Sequence, residues 1–298
     1  YGGSDVGYLT LSLQYLTRID SQDFKEKEIW NEKIINYLIH FFHKDGTIGN
    51  YYGSRGSSII YPAGLIKSGY EEINNELIKS IKKNKIPIPQ DLDDTNFVPC
   101  LNSFVQSYLE LNKSFTKNIK LPKNQEKYLK IFENAGFIIS SNQNEQFIID
   151  LKNAGSISVF SKDNANRKGS AMIVHNKSKI VYRVLNSEYK IEKKENINIT
   201  VQGQFYKTNT SSIGITETLL SRLFLPVISN FPGLFNQIKL FIAKKYFKPS
   251  RAVGFFKKDI TISNNEINSN IDLKIPDNFT FVESHQAHPI RMASQNYL

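Results

Sequence analysis

The chain of 298 residues has one cysteine, Cys100. A single thiol excludes an internal disulfide framework and any cysteine-rich zinc or iron–sulfur site, and it leaves the compartment open. Long hydrophobic runs are also missing. The longest charge-free stretch, Leu223 to Ile238, is short and carries Pro226 and Pro232, so no segment reads as a membrane-spanning helix. Arginine is scarce and scattered, at positions such as Arg18, Arg55, Arg183 and Arg251. Lysine therefore carries most of the excess of 38 basic over 28 acidic residues and the formal charge of +10. That charge invites a polyanionic partner, but no basic stripe interleaves with stacking aromatics, so nucleic acid is not the expected one. A G-x-S-x-G elbow, a P-loop and a dinucleotide fingerprint are all absent.

What is present is ample material for a core: 40% hydrophobic and 12% aromatic residues, which excludes intrinsic disorder as the main state and allows one large domain or two ordinary ones. The chain starts at Tyr1 without an initiator methionine and enters a helical pattern almost at once, as a fragment or processed product would.

From Val6 to about Phe132 the period is helical. Leu9, Leu13 and Leu16 follow Asp5, a ready N-cap. A second amphipathic helix runs from about Phe24 to His43, with Trp30, Ile34, Tyr37 and Leu38 on one stripe. Further helices are expected over 60–68, 70–83, from the Asp91 to Asp94 acidic cluster onward, and briefly over 126–133. After Gly136 the period becomes two, with short apolar runs near 137–139, 147–149, 157–160, 172–174 and 180–184, then strict alternation at Ile197, Ile199 and Val201. Residues 216–247 are too apolar for a loop and read as two helices broken near Pro232. They are expected to pack across the sheet or to touch a membrane surface peripherally. The expected architecture is α+β with two domains. Residues 1–134 would form a helical-hairpin domain and residues 135–298 an antiparallel β-sandwich, with 216–247 inserted.

The most informative stretch is Asp45 to Gly64, DGTIGNYYGSRGSSIIYPAG. It links two amphipathic helices by a polar loop longer than such connections usually are. It concentrates a tyrosine pair, Tyr51 and Tyr52, with Arg55, and lies directly behind His43. A carboxylate-bearing sugar would use both hydroxyls and a guanidinium. An ordered loop in which Arg55 pairs with Asp45 and the tyrosines cover helix ends is the competing reading.

That run, with the opening YGGSDVGYLTLSL and the later segments GSISVFSKD and LLSRLFLPVISNFPGLFNQIKLFI, resembles the heparinase II/III-like polysaccharide lyases and their relatives in polysaccharide gene clusters. The resemblance implies that the helical half is the C-terminal part of an α/α toroid, with a sugar groove between it and the sandwich. It also implies cleavage of an acidic, uronic-acid-containing polysaccharide by β-elimination, without metal or cofactor, in a periplasmic or extracellular setting. Such a reaction needs a donor that neutralises the uronate carboxylate, a base for the C5 proton and an acid for the leaving oxygen. By the resemblance Tyr52 would be base and acid and Arg55 the neutraliser. Asn50, Tyr51, Tyr61, Asp45 and His43 would line the substrate.

Gly53 and Ser54 separate Tyr52 from Arg55, one residue more than the lyase pattern has, and the stretch 155–184 offers only His175 where those enzymes use a histidine motif. Two other readings therefore stand beside the lyase: a non-catalytic polysaccharide-binding or assembly protein, and a glycoside hydrolase using a carboxylate pair drawn from Asp5, Asp45 or Asp93.

Overall fold

Local signals start the helical half as the sequence suggests. Asp5 caps the first helix, α1 (Val6–Leu16), its carboxylate accepting the Tyr8 amide at 3.0 Å. The second, α2 (Lys27–Leu38), ends in a 3-10 turn over Ile39–Phe41. Pro62 opens the short α3 (Pro62–Lys67) at the position where a missing amide costs nothing. In α4 (Glu71–Lys82) acidic residues fill the first turn and lysines the last, complementing the helix dipole. The longest is α5 (Asp94–Glu110). At Gly64 a Cβ atom would lie 2.5 Å from the Gln14 amide nitrogen. Glycine is what lets α3 approach the α1 backbone so closely.

The computed structural model describes residues 5–283 except 21, 50–51, 54–57, 93, 112–114, 163–164, 169–170, 185–186, 194–195, 208–232, 234–236, 238–250 and 264–265. The expected helical insertion over 216–247, with its suggested membrane contact, therefore lies outside the described residues apart from Gly233 and Gln237. Among the described residues no helix is long and apolar enough to cross a membrane.

Two antiparallel sheets follow. The first has the order β1 (Lys127–Phe132), β2 (Phe137–Asn142), β3 (Glu145–Asp150), β4 (Ser156–Ser161), β5 (Ala165–Lys168). The second contains β6 (Ala171–His175), β7 (Val181–Val184), β8 (Glu188–Lys193), β9 (Ile197–Lys207), β10 (Phe255–Ser263), β11 (Glu266–Lys274) and β12 (Phe279–Glu283), in the order β11-β10-β9-β7-β6-β12 with β8 also paired to β9.

Strand alternation explains the layering. Phe137, Ile139, Ile148 and Phe160 point from the first sheet toward the helices, into one cluster with Leu13, Ile35, Phe41, Leu65 and Leu77. Ile138, Ile149 and Ile157, one residue out of phase, join Ile199, Val201 and Ile260 of the second sheet. Strands β2, β3 and β4 carry buried side chains on both faces, which makes the five-stranded sheet the middle layer.

This architecture corrects the expected one. An α/α toroid of helical hairpins is not what the chain builds. Five α-helices, counted among the described residues, form one layer against a structure dominated by antiparallel sheet. The helix expected over 126–133 is strand β1, paired from Lys127↔Asn142 to Phe132↔Phe137. Leu129 and Phe132 have helical spacing, but β1 is an edge strand whose outward residues include Lys127 and Lys130, a common guard on exposed edges. Helix α2 is also shorter than expected. Phe42 leaves it to bridge Ile48 in an antiparallel pair, and Trp30 is 44% exposed rather than packed in the core.

Candidate functional site

The loop that the sequence singled out begins as a tight hairpin. The His43 amide donates to the Thr47 carbonyl at 2.9 Å and the Gly46 amide to the His43 carbonyl at 3.0 Å. Asp45 holds the turn: one carboxylate oxygen accepts from the Thr47 amide at 3.0 Å and from its hydroxyl at 2.7 Å. Aspartate is favoured in turns for this local hydrogen bonding. Asp45 is buried and spent on its own backbone, which leaves little of it for a sugar.

His43 is fully buried, its ring stacked on Phe160 with centroids 3.8 Å apart. The Gln146 side-chain amide donates to the His40 carbonyl at 3.0 Å, so Gln146 turns its oxygen toward His43 Nδ1, 3.2 Å away. On the other side of the ring Nε2 lies 3.0 Å from the Gly49 carbonyl, which can only accept, and 2.7 Å from the Tyr52 hydroxyl, which can donate or accept. Burial pushes the His43 pKa down to about 4, against the opposing pull of Asp45, Gln146 and the Gly49 carbonyl. The ring is neutral at physiological pH. An orienting amide, a neutral imidazole and a phenol in series would suit proton transfer. Their position does not, because Tyr52 is 5% exposed and packs between Phe41 and Phe137, with centroids 5.6 and 5.8 Å away.

The same hairpin is tied to the middle sheet one residue later. The Gly53 amide, on a residue with φ of +82°, donates to Asp150 Oδ2 at 2.8 Å. Asp150 is buried at the end of β3, and desolvation raises its pKa to about 6, although the amides of Gly53, Asn153 and Lys152 favour the carboxylate. A second histidine–tyrosine contact lies nearby, between His40 Nε2 and the Tyr128 hydroxyl.

The remaining candidates separate. Tyr61 starts α3, its amide donating to Thr10 Oγ1 at 3.0 Å. Its phenol is pushed up to about 12, chiefly by burial, which makes it a poor base at neutral pH. Asn50, Tyr51 and Arg55 lie outside the described residues. The structure thus brings His43 and Tyr52 together, holds Asp45 in the adjoining turn and sets Tyr61 apart. Gln146 and Asp150, which complete the cluster, stand about a hundred residues downstream on strands, and no local pattern announces them.

Open space lies elsewhere, around the helices. A cavity of about 110 Å³ is lined by residues that include Lys27, Asn31, Glu32, Lys67, Tyr70 and Lys117. A second, of about 280 Å³, is lined by residues that include Arg18, Lys67, Gln106, Leu109 and Glu110. The two share Thr17 and Lys67. Lys117 reaches the first because its backbone pairs with that of Tyr70, and its ammonium stands 5.4 Å from the Tyr70 ring centroid. In the sequence Lys27 and Lys67 belong to separate expected helices and Lys117 to none, so only the fold reveals that they converge. Among the described residues no group of histidine, cysteine or carboxylate side chains could hold a metal ion.

Without the toroid, the lyase assignment loses the scaffold it was attached to. Set against known proteins, the chain matches no family model, no curated protein and no solved structure.

Proposed function

We propose that the protein binds an acidic oligosaccharide or polysaccharide without cleaving it, as a binding or assembly component of a surface-polysaccharide pathway, with Lys67 at the centre of the binding surface. The observation that carries this reading is the pair of adjoining cavities sharing Thr17 and Lys67. Their linings mix cations (Arg18, Lys27, Lys67, Lys117) with carboxylates and side-chain amides (Glu32, Glu110, Asn31, Gln106). A hydroxylated chain bearing occasional carboxylates uses both donors and acceptors, and the Tyr70 ring offers a flat apolar surface to a sugar face. The formal charge of +10 adds long-range attraction for an acidic polymer. The buried Tyr52 argues for binding over catalysis, since a base that removes a C5 proton must lie within hydrogen-bond reach of it.

Calorimetric titration with oligosaccharides of alginate, heparan, hyaluronan and bacterial capsule tests the proposal. Saturable, salt-sensitive binding to at least one is expected, weakened at least about tenfold by Lys67→Glu, with no new ultraviolet absorbance from a C4–C5 double bond. Absence of binding to all four, or binding indifferent to Lys67→Glu, overturns it. Growth of that absorbance would establish lysis instead.

A further inference from the structure

Sheet edges in this chain are guarded unequally. Strand β1 carries Lys127 and Lys130, β5 is four residues long and β12 five. Strand β11, which ends the second sheet, has neither protection. It pairs with β10 from Ser263↔Glu266 to Phe255↔Lys274, nine residues in unbroken register without a bulge. It contains no proline, and its one lysine is its last residue. Among the described residues nothing pairs with its other side. Alternate backbone N–H and C=O groups therefore face outward as a template for another strand.

The strand is also its own complement. Its sequence, EINSNIDLK, is centred on Asn270. Set against a second copy of itself, antiparallel about a two-fold axis through Asn270, it places Glu266 opposite Lys274, Ile267 opposite Leu273, Asn268 opposite Asp272 and Ser269 opposite Ile271. Each pair occurs twice, so opposite charges meet at both ends. The apolar pairs extend clusters the chain has already begun: Ile267 packs on the one between the sheets, and Ile271 and Leu273 on the one containing Phe205 and Phe256. In the single chain all three are left half-buried. Other registers lose this match. A slide of two residues sets Glu266 against Asp272 in one direction and leaves both end charges without an opposite in the other. A slide of one puts the apolar side chains of the two copies on opposite faces.

We propose that β11 pairs with the β11 of a second copy of this chain in that register, joining the second sheets of two chains into one continuous antiparallel sheet. The charge complementarity of the strand with itself selects an identical copy over another partner. Within one chain Glu266 and Lys274 stand opposite Ser263 and Phe255 on β10, so neither has a charge across the strand pair to lose when it is changed.

Sedimentation equilibrium of the 298-residue chain over about 1 to 100 µM tests the proposal. The expected result is a species of twice 34.2 kDa. Glu266→Lys and Lys274→Glu each replace two attractive pairs by two repulsive ones and should raise the dissociation constant at least about tenfold. The double substitution restores the complement with its signs reversed and should bring the constant back to within about threefold of wild type. Circular dichroism should be unchanged in all three. Asn270→Lys sets like charges on the axis while facing Asp259 in its own chain, and it carries the same expectation of weakening if an end variant fails to fold. A chain that stays monomeric at 100 µM overturns the proposal. So does a dimer indifferent to these substitutions, or one that the double substitution leaves as weak as either single one. The readout is mass alone, so it stands or falls separately from glycan binding.

Discussion

Helices α4 and α5 are neighbours in sequence and opposites in construction. In α4, Ile73 and Leu77 are fully buried in the cluster shared with the first sheet, while Glu71, Lys79 and Lys82 face water. In α5 the buried positions are Cys100, Ser103 and Ser107, and the large apolar side chains lie outside. Both patterns have the helical period, so periodicity alone says that each is a helix and not which face the protein keeps. The difference teaches that the helical layer buries large apolar side chains against the sheet in α4 and leaves them exposed in α5, a distinction that periodicity cannot make.

The largest expected effect sharpens that contrast. Leu77→Ala should cost about 2–5 kcal/mol by transfer and cavity terms, while Leu101→Ala, at a position 40% exposed, should cost about 1 kcal/mol. Urea denaturation of the two variants at matched low concentration makes the comparison. Equal losses would mean that Leu101 is packed more deeply than its 40% exposure shows.

The face toward the sheet also holds buried titrating groups that work in opposite senses, Asp150 in one and His43 and His40 in the other. Asp150 titrates near 6 when folded against an ordinary 3.8. Its contribution is complete below about pH 3.8 and is lost as pH rises through 6, on the order of 3 kcal/mol. His43 titrates near 4 against 6.5. Its contribution is present above 6.5 and is lost as pH falls through 4, again on the order of 3 kcal/mol. Between pH 4 and 6.5 the two oppose each other, and His40, whose pKa burial also lowers, adds to the rise with pH. Asp150→Asn should unmask the histidine and make stability climb with pH across that window. His43→Gln should make it fall. Two variants with equally flat profiles would show that neither group is desolvated as described.

A smaller effect tests the outer edge of the helical layer. Asp5→Ala removes the side-chain cap of α1 and should cost about 1 kcal/mol. A thermal melt reads it, and a silent substitution would mean that the start of α1 frays freely.

Much of the secondary structure was legible because its signals are local. Asp5, Pro62 and the acidic start of α4 place three helix beginnings to within a residue or two. The alternation at Ile197, Ile199 and Val201 places β9 and its buried face. That the helices form one layer on a sheet and not a toroid was not legible, because it is a statement about how helices partner, and α5 would have looked the same in either arrangement. Strand β1 was misread where an exposed edge strand imitates helical spacing at Leu129 and Phe132. In the loop, sequence alone picked out His43, Asp45 and Tyr52, which the fold does gather. It missed that they turn inward, because Gln146, Asp150 and Phe160, which draw them into the core, come from strands about a hundred residues away.

Tyr52→Phe tests most directly whether that cluster is architecture or chemistry, because it removes one hydroxyl and leaves the ring packing intact. The inward reading predicts a loss of about 1–3 kcal/mol, since the buried hydrogen bond between the Tyr52 hydroxyl and His43 Nε2 would be lost, with unchanged glycan affinity and no C4–C5 unsaturation produced by either protein. Wild-type turnover that generates the unsaturation, abolished in Tyr52→Phe at unaltered melting temperature, would contradict it and place Tyr52 in contact with substrate.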